Sequence, residues 1–118
     1  MAITINTQSR DFTEVEQYLM TIDRGIKSLK DVEDNTSIPV AGYLTFTDEK
    51  ENGDNVEILS IITPDNEVFS CQSPTFKRSF NNITNIMHGK QFSINKVSGT
   101  SKNGRPYIDC SLDVKSVK

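Results

Sequence analysis

The chain has 118 residues, 35% of them hydrophobic and 25% charged. That composition suits one small folded domain, residues 1–118, and excludes both a disordered chain and two ordinary domains. No apolar run approaches the roughly 20 residues that span a bilayer, and "MAITINTQSRDF" has no basic stretch followed by an apolar one, so neither a membrane span nor a signal peptide is expected.

The formal net charge of −3 hides a division. Residues 1–70 hold 5 Lys+Arg against 14 Asp+Glu, a balance of −9, and residues 71–118 hold 8 against 2, a balance of +6. The asymmetry points either to one basic face on an acidic protein or to halves that folding interleaves. Cys71 and Cys110 each sit in an apolar or alternating segment and read as buried free thiols. With only His88 beside them they show no metal-ligand spacing.

In chain order, "MAITINT" is a frayed end or an edge strand. Phe12, Val15, Leu19 and Ile22 recur at helical spacing, with Asp11 as N-cap and Gly25 after the end, which predicts an amphipathic helix over about 11–23 whose apolar stripe packs on the domain's own core. "IKSLKDVEDNTS" reads as a loop with one short strand. Ile38, Val40, Leu44 and Phe46 alternate with Ala41, Tyr43, Thr45 and Thr47, a long strand with one buried face. "DEKENGD" at 48–54 is a charged turn. "NVEILSIIT" is apolar on both faces, as a central strand is. "PDNE" is a turn and "VFSCQ" a short strand. Ser73 as N-cap and Pro74 at the first helical position open a second helix. Phe76, Phe80, Ile83 and Met87 line one side of it, and Gly89 ends it. Phe92 and Ile94 begin a strand, "TSKNGR" is a turn, and Ile108, Cys110, Leu112 and Val114 point inward from the last strand.

After the first helix the order is β-β-β-α-β-β. That is the chain order of the OB-fold, a five-stranded Greek-key barrel that often binds oligonucleotides or oligosaccharides. Here it would occupy about 37–114, with an additional N-terminal helix. Five-stranded α+β sandwiches of other topology are the alternative.

Three features carry a closer likeness: a hairpin closed by "PDN", a helix directly after the short strand, and a last hairpin reading "GTSKNGR" before an alternating strand. In these, residues 37–114 resemble the single-stranded DNA-binding proteins of small tailed phages of Gram-positive bacteria, including phages that replicate by protein priming. The resemblance implies an OB-fold that coats single-stranded DNA during phage replication in the cytoplasm of the infected host, with phage or host replication proteins as further partners. The chain ends "DVKSVK", without the acidic tail by which many bacterial homologues recruit such partners, so recruitment through a tail is not expected.

Single-strand binding needs cations along phosphates and aromatic faces on which bases stack. Strand parity turns Tyr107 outward, opposite Ile108 and Cys110. Tyr43 lies opposite Val40 and borders the expected groove or packs in the core. Phe69 either stacks on a base or fills the barrel. Lys102 and Arg105 flank Asn103-Gly104, the dipeptide of a two-residue type I′ hairpin. Lys77 and Arg78 near the start of the second helix are candidate phosphate contacts. Lys96 is another if its strand bends, since parity alone places it with Phe92 and Ile94. His88 reads as a helix-dipole partner. No nucleophile motif, Gly-rich phosphate loop or HExxH helix is present, so neither enzymatic activity nor a cofactor is expected. A protein-interaction adaptor using the first helix and the acidic loop, an RNA-binding module, and a homodimer are the other readings.

Overall fold

The computed structural model describes residues 2–49, 53 and 55–116. Of the charged turn expected at 48–54, residues 50–52 and 54 lie outside the described residues. The elements in order are β1 (Ala2–Gln8), α1 (Glu14–Thr21), β2 (Lys27–Ser28), a 3-10 turn (Leu29–Asp31), β3 (Thr36–Val40), β4 (Gly42–Glu49), β5 (Asn55–Ile62), β6 (Val68–Cys71), α2 (Pro74–Met87), β7 (Phe92–Thr100), β8 (Pro106–Leu112) and a second 3-10 turn (Val114–Ser116). The protein is mainly β, and its strands form two sheets. It divides into two compact units, Met1–Ser28 with Ala41–Gln72, and Leu29–Val40 with Ser73–Lys118.

The first unit holds a sheet of order β1-β4-β5-β6-β2, antiparallel except where β2 runs parallel to β6. β5 lies between β4 and β6 and buries every residue from Leu59 to Ile62, as its two apolar faces require. β1 is an edge strand with a bulge between Ile5 and Thr7. Phe12, Met20, Leu44, Phe46, Ile62 and Val68 form the core, with Ile3, Ile5, Leu19, Ile26 and Ile58 packed against it. Each such side chain, fully buried, contributes about 1.5–3 kcal/mol.

Two expectations change here. The long strand is broken at Ala41: Thr36–Val40 pairs with β7, and Gly42–Glu49 pairs with β1 and β5. Even-numbered residues from Ile38 to Phe46 stay buried across the break, so periodicity carries no sign of it. A Cβ on Gly42 would lie 2.8 Å from the Phe12 ring, which therefore needs glycine there. The first helix is also shorter than the expected 11–23. Its N-cap is Thr13, not Asp11, because Thr13 and Glu16 form a reciprocal capping box: the Thr13 hydroxyl accepts the Glu16 N–H at 3.1 Å and the Glu16 carboxylate accepts the Thr13 N–H at 3.0 Å. It ends on Ile22 rather than at Gly25. Leu19 and Met20 face the core, while Val15 and Ile22, expected in the buried stripe, are exposed.

The second unit holds an antiparallel sheet of order β3-β7-β8 with β7 in the middle. α2 starts as expected, with Ser73 as N-cap and Pro74 following it. It buries Phe76, Phe80 and Met87 and ends on His88 and Gly89, both with positive φ. It packs against β8. The Ser73 hydroxyl donates to the Ile108 carbonyl at 3.3 Å, the Cys110 thiol lies 3.8 Å from the Phe76 carbonyl, and the Phe80 and Phe92 rings are 6.2 Å apart. Along β8, Ile108 and Cys110 are buried and Tyr107 and Ser111 exposed, as parity requires. The inward run stops there. Leu112 is half-buried and Val114 exposed, because the chain leaves β8 at Asp113, whose N–H bonds the Ser93 carbonyl, and enters a 3-10 turn. Cys71 and Cys110 are both buried and form no disulfide. No helix among the described residues is long and apolar enough to cross a membrane.

Candidate nucleic-acid interface

The β7–β8 hairpin carries the densest set of candidate residues. Its last strand pair is Thr100 with Pro106. The Ser101 N–H bonds the Arg105 carbonyl at 2.9 Å, and the Gly104 N–H bonds the Ser101 carbonyl at 2.9 Å. The Ser101 hydroxyl, not its carbonyl, receives the Arg105 N–H at 3.2 Å. A type I′ turn needs positive φ at both central residues, and of Asn103 and Gly104 only Gly104, at φ 79°, has it. The tip is thus a wider turn with glycine in the left-handed position, replacing the expected two-residue turn. Lys102 and Arg105 are exposed on it.

Tyr107 faces Gly99 across the two strands. A Cβ at Gly99 would lie 2.6 Å from the Tyr107 hydroxyl oxygen and 2.7 Å from the ring carbon bearing it. The hydroxyl end of the ring therefore lies over the glycine, and Tyr107 stays 41% exposed. Beside it is a hollow of about 580 Å³. Pro106, Tyr107 and Ile108 of β8 line it, with Lys96 and Ser98 of β7, Ser73, Pro74 and Thr75 at the start of α2, and Lys30 from the first 3-10 turn. Arg78 lies one helical turn beyond Pro74 and is exposed, outside the lining of the hollow. Lys77, beside it, is half-buried.

Lys96 enters the hollow's wall but not its free charge. It sits on the inward side of β7 with Phe92 and Ile94, and its side chain is 5% exposed. Its ammonium donates to the Val32 carbonyl at 2.7 Å and to Asp34 Oδ1 at 3.2 Å. The Ser98 hydroxyl bonds the same carboxylate at 2.7 and 2.8 Å. The hydroxyl first and the ammonium second hold the Asp34 carboxyl below its ordinary range. Lys96 thus fastens the 32–34 segment onto β7, and phosphate contact would require breaking that pair.

Two expected aromatics belong to the first unit. Phe69 on β6 is buried, with the Lys27 ammonium 5.5 Å from its ring centroid, and offers no open face for stacking. Tyr43 on β4 is half-buried, and its backbone is tied to Ser9 at 2.9 and 3.0 Å. The second unit brings together Tyr107, Lys102, Arg105, Lys96, Lys77 and Arg78. Lys30 and Ser98 carried no signal in the sequence, since Lys30 stands among Asp31, Glu33 and Asp34. Ser73 and Pro74 were legible only as a helix start. No cluster of three or more His, Cys, Asp or Glu suited to a metal occurs among the described residues.

Comparison with known proteins finds no matching family model, no similar curated protein and no similar solved structure.

Proposed function

We propose that the chain binds single-stranded DNA without sequence preference, through the hairpin and hollow of the second unit. The observation that carries this is Tyr107, an exposed aromatic seated over Gly99 beside a hollow, on a stretch from Cys71 to Ile108 that contains no Asp or Glu. A base stacks on the ring, a contact worth about 1–3 kcal/mol. Phosphates follow Arg105 and Lys102 on one side and Arg78 on the other. The element order from Thr36 onward supports an OB-fold for this role, and coating of strands exposed at a phage replication fork is its extension.

The test is titration of end-labelled oligo-dT at two salt concentrations. Phosphate contacts release counterions, so affinity should fall steeply with salt. Absence of binding at low salt would sink the proposal. A matched ribo-oligomer that competes better than dT would move the reading to RNA. The exposed apolar side of α1 favours a second reading, protein contact through the first unit.

A further inference from the structure

The described residues that line the hollow beside Tyr107 all belong to the second unit. Its volume of about 580 Å³ falls within the roughly 300–1,000 Å³ of small-molecule sites. Pro74, Pro106, Tyr107 and Ile108 give it apolar walls, and none of the described residues lining it is acidic. Most of its hydroxyls are already bonded within the protein. The Ser73 hydroxyl donates to the Ile108 carbonyl and accepts the Phe76 N–H. The Ser98 hydroxyl and the Lys96 ammonium are held by the Asp34 carboxylate. The Thr75 hydroxyl has no such bond to another described residue.

We infer that this hollow is a base pocket: one base of the bound strand turns out of the stack and enters it, lying against Tyr107. The inference rests on the proposed strand binding and adds where the base goes. A nucleobase is apolar on its flat faces and polar along its edge. The walls suit the faces, because an aromatic ring stacks on any base and apolar side chains pack beside it. The edge must meet hydrogen-bonding groups, since burying it unpaired is costly. Ser73, Ser98 and Lys96 would serve it only by giving up bonds that hold the fold. Thr75 is uncommitted, and a hydroxyl both donates and accepts. It therefore serves a carbonyl, an amino group or a ring nitrogen, in keeping with binding without sequence preference. The strand's phosphates meet no repulsion at the rim, because the lining holds Lys30 and Lys96 and no carboxylate. Turning a base out costs least in a strand that is already single. Tyr107 is the one aromatic in the lining, so each copy holds one base in this way.

The test separates base from phosphate by using thymidine, which has no phosphate, and deoxyribose 5-phosphate, which has no base. In an NMR titration of the full chain, thymidine should shift the amide signals of Thr75, Ser98 and Ile108 and saturate at roughly millimolar concentration. The response should be the same at low and high salt, since no counterion is released. Deoxyribose 5-phosphate should leave those three signals in place. Thr75→Leu removes the hydroxyl and narrows the hollow. It should keep the wild-type melting temperature, weaken the thymidine response and lower oligo-dT affinity by at least about fivefold. A wild-type chain that binds oligo-dT but shows no thymidine response up to the solubility limit would overturn the base pocket and leave strand binding standing. So would a folded Thr75→Leu chain that binds oligo-dT as tightly as wild type, or deoxyribose 5-phosphate moving the three signals as thymidine does. Failure of both thymidine and oligo-dT to bind would remove the pocket and the strand-binding reading together. The wild-type titrations decide the matter even if Thr75→Leu does not fold.

Discussion

Tyr107 owes its position to a missing side chain. Gly99 leaves the space that the end of the phenol ring covers, so two residues on different strands make one platform. Because the ring is partly exposed, Tyr107→Ala should leave the melting temperature nearly unchanged while weakening oligo-dT binding by about 5- to 150-fold, the span of one stacked base. Gly99→Ala should weaken binding too, since the new Cβ must push the ring away. The double variant should bind no worse than Tyr107→Ala alone, because both changes remove the same platform. Additive losses would show that Gly99 acts elsewhere. A second residue-scale effect concerns Glu16. The Arg10 guanidinium, with the Thr13 N–H after it, holds the Glu16 carboxyl down to about 2. A depressed carboxylate stabilises the fold above its unfolded value, near 4.3, and that contribution is lost as pH falls toward about 2. A carbon-detected NMR titration should find Glu16 titrating at about 2, and Arg10→Gln should move it up toward the unfolded value. A carboxyl that titrates near 4 in the wild type would remove the Arg10 pair.

At the scale of elements, the β7–β8 hairpin separates cations that hold the fold from cations at its surface. Lys96→Met strips the Val32 carbonyl of its donor and loosens the 32–34 segment, so the melting temperature should fall by several degrees while the salt dependence of DNA binding stays the same. Lys102→Ala with Arg105→Ala should do the reverse, leaving stability intact and cutting the salt slope by about half. The same comparison shows what the sequence could reveal. Alternation predicted that Tyr107 faces out and Ile108 and Cys110 in, and the Ser-Pro start and the Phe76–Phe80 spacing predicted α2, because both rest on contacts within a few residues. The break at Ala41 was not legible, since the buried parity runs unbroken from Ile38 to Phe46 and the change lies in which strands are paired. The turn of α1 was not legible either. Val15 and Ile22 fit a buried stripe equally well, and only the packing of Phe12 and Met20 decides which side of a two-turn helix faces the core. Lys96 found its partner 62 residues away, beyond the reach of any local pattern.

Across the whole molecule, charge follows the division into units. The first unit has 4 Lys+Arg against 11 Asp+Glu, a balance of −7, and the second has 9 against 5, a balance of +4. The proposed strand capture therefore falls to the second unit, whose exposed cations among the described residues are Lys30, Arg78, Lys90, Lys102, Arg105 and Lys115. The four assigned to the strand, Lys30, Arg78, Lys102 and Arg105, at about 0.7 per phosphate on single strands, give a salt slope of roughly −3. So shallow a slope means modest affinity for one site. Titration with oligo-dT at two salt concentrations should find a slope of about −3, and a slope of about −4 would add Lys90 and Lys115, the other exposed cations of that unit, to the strand contacts.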